Sequence, residues 1–344
     1  MFKVKNLVGA LLLILILVTG SMVSGCTPAE EREGELPNSI IFGVLPVGGS
    51  MYVIGAGLST VIDRYLPSTK VITQSFPSSV PQTDALAKGE LDVALQVVGQ
   101  WYLCTLGLEE YKEWGPRPVR VLGMGSSSVH AFFTTPDTGI KTIQDLAGKK
   151  VAYISAVSKI ATDVDKYTME FYGVLDNVES LKRGGLNSAA NQLIEGKIDA
   201  YAGPLGSHFE ILKAAKGAVI IGIPPDAVAY VNEKVPTMQA SSEVAPKGLY
   251  GIEQDTPVLA LPHTMAVNRD CSEELAYAIT KAVYDHPKEL ADIHHMVGRF
   301  TIERTLQFPS PVAYHPAAIK YYKEKGVWTA ELDNLQQKLL AQEK

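Results

Sequence analysis

The sequence predicts an α/β fold built from two similar lobes. Short runs rich in β-branched residues alternate with amphipathic helical stretches, a pattern typical of sheets with mainly parallel strands. A weak repeat pairs "ALAKGELDVALQ" (85–96) with "QLIEGKIDAYAG" (192–203). Each copy contains a helix end, a glycine suited to the C′ position, an aspartate and a strand. Any helix–glycine–strand junction looks similar, but two well-separated copies favour two lobes.

The first 26 residues have the pattern of a targeting segment. Lys3 and Lys5 precede an apolar stretch, and small residues stand before Cys26. The ending "VSGC" resembles the bacterial lipobox, in which the cysteine becomes the lipidated first residue of the mature protein. An ordinary secretory signal with an incidental cysteine is the alternative. We therefore expect a lipoprotein signal peptide over 1–25, a lipid on Cys26, and a charged, flexible tether over 26–37.

Predicted elements alternate along the remaining chain. The predicted strands are 39–44, 70–76, 92–97, 119–124, 130–135, 149–154 and 218–223. The predicted helices are 51–65, 80–88, 159–172, 187–195 and 272–284. Ligands of such sheets bind beyond the carboxyl ends of the strands. The loops after Gln96 and after Ala202 are therefore candidate walls of a cleft.

Composition and motifs exclude several function classes. The formal net charge of −6 disfavours nucleic acid, which would need a basic surface. No second apolar stretch approaches the ~20 residues that cross a bilayer, so we expect a body held at a membrane only by its lipid. Nucleophile-elbow, phosphate-loop, dinucleotide and zinc-protease motifs are all missing, which argues against an enzyme.

The cysteines beyond the leader are Cys104 and Cys271. A disulfide between them would suit an oxidising compartment, but we favour two buried free thiols. Neither cysteine has the spacing of a metal site, and we expect no metal and no cofactor.

Five segments carry a resemblance to a known family. They are "GVLPVGGSMYVIGAGLSTVI", "DTGIKTIQDLAGKKVA", "GKIDAYAGPLG", "AYAITKAVYDHPKEL" and "PVAYHPAAIKYYKEKG". In this order, over nearly the whole body, the chain resembles the TAXI family of extracytoplasmic solute receptors that serve TRAP transporters. The resemblance implies a two-lobed periplasmic-binding-protein fold of the second type, a clamshell. It also implies capture of a small organic anion, such as a dicarboxylate or an acidic amino acid, and delivery to membrane permease subunits.

The lobe boundaries follow from this resemblance and from the repeat. We expect residues 38–136 plus 259–344 to form the first lobe and 137–258 the second. The same clamshell would serve a lipid-anchored binding module that feeds a signalling partner instead of a permease, and the sequence leaves this alternative open. In either case we expect an extracytoplasmic protein on a bacterial membrane.

The turn in "GVLPVGGSMY" (43–52) is the first candidate binding segment. Glycines before a helix N-terminus let an anion approach unsatisfied N–H donors and the positive end of the helix dipole. A plain Ser50 N-cap is the alternative. The TAXI family usually has Gly-Thr-Gly-Gly here, whereas this chain lacks the hydroxyl. The candidate ligand-binding residues of this turn are Gly48, Gly49, Ser50, Met51 and Tyr52.

The second candidate is "YISAVSKIATD" (153–163), which also precedes a helix. Its family counterpart is a Gly-Ser-Gly-Thr turn, and the loss of both glycines predicts a different ligand geometry. Ser155 and Ser158 are candidate contacts. Lys159 opposes the helix dipole, so it either meets a ligand anion or points into solvent.

Further candidates follow other strands. They are Ser75, Ser78 and Ser79 in "QSFPSSVPQ", Gln96 at the end of a strand, and Gly203 and Gly206 in "AGPLG". His130 is an additional possible donor. The family tends to place polar residues after the strand at 92–97, where this chain has Val97 and Val98. This substitution favours a small or more apolar carboxylate over an acidic amino acid whose ammonium group needs an acidic partner.

Overall fold

The computed structural model describes residues 36–47, 49–235, 238–307 and 309–343. The predicted signal peptide, the lipidation site Cys26 and the candidate Gly48 lie outside these residues. Residues from Leu36 onwards form one compact unit by their contacts.

Within the described residues the chain forms ten strands and twelve α-helices. The strands are β1 (Ser39–Val44), β2 (Lys70–Ser75), β3 (Val93–Val97), β4 (Val119–Thr134), β5 (Lys150–Ser155), β6 (Glu179–Arg183), β7 (Ala200–Pro204), β8 (Val219–Ile221), β9 (Ser241–Ala245) and β10 (Thr256–Asn268). The helices are α1 (Ser50–Tyr65), α2 (Ser79–Ala87), α3 (Val98–Leu106), α4 (Lys159–Phe171), α5 (Leu186–Ile194), α6 (His208–Lys216), α7 (Pro225–Lys234), α8 (Glu273–Tyr284), α9 (Pro287–Ile293), α10 (Ile302–Gln307), α11 (Pro316–Glu324) and α12 (Ala330–Gln342). All five predicted helices are confirmed to within one residue at each end.

The strands form one mixed sheet in the order β2-β1-β3-β10-β4-β7-β5-β6. Strands β1, β2 and β3 are parallel to one another, and so are β5, β6 and β7. The two long strands β4 and β10 are antiparallel to each other and join these two groups. Two short strands complete the sheet, because β8 pairs with β4 and β9 pairs with β10.

This topology corrects two expectations. The sheet is mixed and not mainly parallel, because β4 and β10 are antiparallel to each of the strands that they pair with. The two-lobe prediction placed the two repeated junctions in separate sheets, but the strands that follow them, β3 and β7, belong to one hydrogen-bonded sheet through β10 and β4. The two parallel groups still have similar connections, and the lobe boundaries at 136 and 259 stay a prediction.

A third correction concerns the segment 119–135, where we expected two strands. The chain instead forms the single strand β4, in which Ser126, Ser127 and Ser128 are buried. The glycines inside it make room for aromatic side chains. A Cβ on Gly123 would lie 2.2 Å from the Tyr284 hydroxyl, and a Cβ on Gly125 would clash with the Phe300 ring. Glycine and serine are typical of loops, but here close packing of rings against the strand requires small residues.

Helix α1 packs closely on β1 because of its composition. Its apolar stripe is buried, including Ile54 and Leu58. A Cβ on Gly55 would clash with Val44 of β1, so this glycine sets the close approach. Helix α8 packs against α1, and its buried Leu275, Ile279 and Val283 confirm the predicted stripe.

Cys104 is a buried free thiol, and burial raises its pKa to about 12. It is not paired with Cys271. The expectation that both thiols are buried is wrong for Cys271, which is partly exposed and donates a weak hydrogen bond to the carbonyl of Ser272 at 3.7 Å.

The described residues contain neither a helix suited to span a membrane nor a side-chain cluster suited to a metal ion. None of their helices combines the length and the apolar character that crossing a bilayer requires. Nor do the described side chains bring three or more His, Cys, Asp or Glu residues together in a way that could hold a metal ion.

Candidate functional site

A cavity of about 160 Å³ lies between the two parallel strand groups. We define its first wall as the lining residues of the β1–α1 turn and the end of β3: Leu45, Pro46, Val47, Gly49, Ser50, Met51 and Val97. The second wall comes from the ends of β5, β6 and β7 and the helices after β5 and β6: Ser155, Val157, Ser158, Ile160, Ala161, Arg183, Gly185, Leu186, Asn187 and Pro204. The floor is formed by Ser128, His130 and Leu261 of the long strands.

Three helix N-termini contribute to the walls. Helix α1 begins after Gly49 and α5 after Gly185, and neither has a side chain capping its first N–H groups. Helix α4 begins after Ser158, whose hydroxyl accepts a hydrogen bond from the N–H of Ala161 at 3.4 Å. Uncapped N–H groups and positive helix ends favour a negatively charged ligand at this position.

Arg183 is the charged side chain of the second wall. It is 4% exposed, and its Nε has no hydrogen-bond partner. Among the described residues no carboxylate forms an ion pair with it, although Asp165 is close enough to act on it electrostatically. Burial lowers the pKa of the guanidinium, and the Asp165 charge partly opposes this effect. A buried cation without a bonded counter-ion is costly, so the position favours binding of an anion.

Gly203 provides the space for this guanidinium. Its φ is +150°, and a Cβ built on it would lie 2.8 Å from Nη2 of Arg183. The glycine therefore lies behind the charged group and does not line the cavity itself. Sequence analysis predicted that Gly203 contacts the ligand. In the structure, Gly203 instead leaves room for the guanidinium of Arg183.

Six of the residues selected from the sequence line the cavity: Gly49, Ser50, Met51, His130, Ser155 and Ser158. The Ser155 hydroxyl accepts hydrogen bonds from the N–H groups of Val157 and Ser158 at 3.2 and 3.3 Å, so it also holds the turn. Both serines keep an O–H that could donate to a ligand.

The other candidates lie outside the lining residues: Tyr52, Ser75, Ser78, Ser79, Gln96, Lys159, Gly203 and Gly206. Several have structural partners. The Gln96 amide is buried and donates to Gln82 at 2.5 Å. Ser75 donates to the carbonyl of Leu45 at 3.4 Å, and the Ser79 hydroxyl donates to Gln96 at 3.4 Å.

Two contacts connect the strand groups beside the cavity. The N–H of Ser79 donates to the carbonyl of Val157 at 3.1 Å. The Lys159 ammonium is 44% exposed, hydrogen-bonds Asp163 at 2.5 Å and lies 4.0 Å from a carboxylate oxygen of Glu109. Lys159 thus has carboxylate partners of its own, and a ligand anion is not needed to explain its position.

Sequence analysis missed two lining residues whose side chains carry N–H donors, Arg183 and Asn187. Strand β6 is largely exposed, so its sequence "ESLKR" lacks the apolar character of the predicted strands. A local pattern was available: "RGGLN" (183–187) places an arginine and two glycines directly before a predicted helix, as "GGSM" does before α1.

A family model described as "NMT1-like family" matches residues 42–326 of this chain. The protein belongs to the NMT1-like family. The match includes every lining residue of the cavity, from Leu45 to Leu261.

Solved structures show the fold of this NMT1-like protein. The periplasmic binding protein BugD matches with a TM-score of 0.52 and 13% identity, over 88% of this chain and 98% of that one. The Escherichia coli periplasmic aliphatic sulphonate binding protein SsuA matches with a TM-score of 0.46 and 14% identity, over 88% of this chain and 86% of that chain. The BugD match shows that the NMT1-like protein has a mixed α/β fold of the periplasmic-binding-protein kind, as expected.

Proposed function

We propose that this NMT1-like protein is a solute-binding receptor that captures a small organic anion, a carboxylate, between the two walls. The observation that carries the proposal is Arg183, a buried guanidinium with no ion-pair partner among the described residues, beside three helix N-termini. A carboxylate bound here would receive a bidentate charge-assisted hydrogen bond from Arg183 and N–H bonds from a helix end.

The size and polarity of the cavity restrict which ligands it can hold. A cavity of about 150 Å³ in another protein holds benzene, so roughly six to eight non-hydrogen atoms would fit in this one. Most of its lining residues are apolar, and none of the described ones is Asp or Glu. An α-ammonium group would lack an acidic partner here. We therefore favour a small carboxylate with an apolar remainder over an acidic amino acid.

Ligand capture would stabilise the arrangement in which the two strand groups lie close together. An anion that contacts both walls binds this arrangement better than an open one, and this difference in affinity shifts the population. The Ser79–Val157 hydrogen bond would add to the same arrangement. Within this proposal, residues 38–136 plus 259–344 and residues 137–258 move as the two lobes.

We further propose that the protein delivers its ligand to the permease of a TRAP transporter. This delivery is supported by the resemblance of the five segments to TAXI receptors, while the fold also serves other solute receptors. Reconstitution with a TRAP permease encoded beside this chain should give uptake that depends on the protein. A neighbouring sensor kinase, with no uptake, would favour the signalling alternative instead.

Extracytoplasmic location through a lipid on Cys26 is proposed from the leader sequence. Cells grown with a labelled lipid precursor should incorporate the label into the parent protein but not into Cys26→Ser. Labelling of the variant at the parent level would show that the anchor is elsewhere.

The small molecule that the purified protein retains tests the proposal as a whole. Native mass spectrometry, followed by unfolding and identification of the released compound, should find a carboxylate of the stated size. A retained cation or neutral sugar would contradict the proposed function.

A further inference from the structure

A buried acid–base pair forms part of the cavity floor. His130 of β4 lines the cavity, and its Nδ1 lies 3.2 Å from Oδ1 of Asp165 on α4. The Asp165 side chain is fully buried, and its Oδ2 has no hydrogen-bond partner. No described residue hydrogen-bonds Nε2 of His130. The carboxylate therefore sits behind the imidazole, while the other nitrogen of the ring is available to a ligand.

Two other charged or titratable groups lie close to this pair. Arg183 of β6 is the cation, and it interacts electrostatically with Asp165. His263 of β10 is fully buried, and both its ring nitrogens lack partners. Burial lowers the pKa of His263 to about 3, so it is neutral at physiological pH and supplies no charge.

A more distant cluster of one carboxylate and two guanidinium groups carries one net positive charge. Glu243 of β9 hydrogen-bonds Arg299 at 2.6 Å and Arg304 at 2.5 Å, and the charges of all three groups act on His263. Burial raises the pKa of Asp165, and its contact with His130 opposes this rise. The charged and titratable groups nearest the ligand position are Arg183, Asp165 and His130.

Counting these charges shows the effect of a ligand. With a neutral imidazole, the positive charge of Arg183 and the negative charge of Asp165 already cancel. A bound carboxylate would leave one net negative charge in a buried site, which is unfavourable. One proton on His130 restores neutrality, because an imidazolium donates from Nδ1 to Asp165 and from Nε2 to the ligand.

We propose that capture of an organic anion in this cavity takes up one proton from solvent, which is held on His130 between Asp165 and the ligand carboxylate. His130 is then a second ligand-binding residue, and Asp165 is its positioning residue. This inference rests on the proposed function of the cavity. The proton enters at Nε2, since Nδ1–H already faces Asp165 in the neutral tautomer, and it returns to solvent when the ligand leaves.

Calorimetry at pH values from 7 to 9 tests the proton uptake. The probes are butyrate, succinate, glutarate and benzoate, each titrated in triethanolamine and in Tris, two cationic buffers whose different ionisation enthalpies reveal exchanged protons. We expect about one proton taken up per ligand toward the alkaline end, where Kd should rise about tenfold per pH unit. The carboxylates of the probes stay ionised over this range, so they contribute nothing to the slope.

Asp165→Asn is the decisive variant. It removes the negative charge behind His130, so Arg183 and the ligand alone would be neutral. We expect proton uptake near zero and a Kd that hardly changes with pH, with alkaline binding at least as tight as in the parent. His130→Gln should also lose the pH dependence but bind more weakly. The comparison of the two buffers uses only the parent protein, so it still tests the proton uptake if a variant misfolds.

The outcomes separate the two proposals. Binding with no proton exchange at any pH, or an unchanged pH slope in Asp165→Asn, overturns the proton uptake and leaves the proposed function standing. No binding by any of the four probes counts against the proposed function, and the proton uptake fails with it.

Discussion

The two walls of the cavity have the same local architecture but different chemistry. Each has a strand that ends in a turn, with a glycine as the N-cap of the helix that follows, Gly49 before α1 and Gly185 before α5. The first wall offers backbone N–H groups, the Ser50 hydroxyl and apolar side chains. The second adds a buried guanidinium, an amide and two serine hydroxyls. Similar backbone geometry thus accompanies an unequal distribution of charge.

This difference indicates which wall determines ligand charge and which determines ligand shape. Helix N-termini contribute only partial charges, whereas Arg183 carries a full charge in a buried position, where a direct contact with an anion is stronger than in water. We infer that the second wall selects an anion and that the first wall limits its size. Four substitutions test this division, from the largest expected effect to the smallest.

Arg183→Met should weaken carboxylate binding most. It removes about two charge-assisted hydrogen bonds of ~1.5–3 kcal/mol each, which predicts at least a hundredfold rise in Kd by calorimetry. Arg269→Met is the matched control, because Arg269 is exposed and pairs with Asp270 far from the lining residues. Equal affinities of Arg183→Met and the parent would remove the basis for assigning charge selection to the second wall.

Gly203→Ala should weaken binding about tenfold without touching the ligand. The new Cβ would lie 2.8 Å from Nη2 of Arg183, at a φ that side chains rarely adopt. We expect a loss of stability of about 1–3 kcal/mol in addition, measured by urea unfolding. Gly206→Ala is the control, since its Cβ would meet nothing nearer than 3.6 Å. Unchanged affinity in Gly203→Ala would show that ligand binding does not depend on the present position of the Arg183 guanidinium.

Gly49→Val should have a smaller effect, about five- to tenfold, through loss of one backbone contact worth about 1 kcal/mol. Gly49 has a φ of −88°, and a Cβ would meet only the Pro46 carbonyl at 3.3 Å, so the fold should tolerate valine. Longer carboxylates should lose more affinity than shorter ones in the calorimetric comparison. An effect as large as that of Arg183→Met would show that the first wall also binds the charged group.

Lys159→Met should change Kd by less than about twofold. Lys159 is exposed and already pairs with Asp163, and such surface ion pairs are worth about 0–1 kcal/mol. Lys166→Met on the same helix is the matched control, and both variants should give calorimetric affinities close to the parent. A loss of tenfold or more in Lys159→Met alone would identify this lysine as a ligand contact.

The sequence predicted the fold better than the site. Periodicity located α1, α4, α5 and α8, because each buries a largely apolar face that is visible in the sequence. Helix α2 was also located, although its buried face is mostly polar. Sequence analysis did not predict β4 as one strand, because its glycines and serines are typical of a loop. In the structure, Tyr284 and Phe300 pack against the glycines of this strand. Sequence analysis also missed β6, an exposed strand whose buried residue is charged.

Site prediction failed where burial decides function. Gln96 and Ser79 looked like ligand donors, but their polar groups bond to each other inside the first strand group. Arg183 looked like one more surface charge, since nothing in "ESLKR" indicates that its guanidinium is buried without an ion-pair partner. Tertiary packing determines which polar groups remain available, and local patterns do not contain that information.

The most direct test of the central claim compares a carboxylate with its uncharged isostere in the parent protein. Calorimetry with butyrate and butyramide varies the charge while keeping size and shape almost constant. If the second wall selects an anion, butyrate should bind and butyramide should bind at least about thirtyfold more weakly, a difference of roughly 2 kcal/mol. Equal binding of the two compounds, or preferential binding of the amine butylamine, would contradict the account.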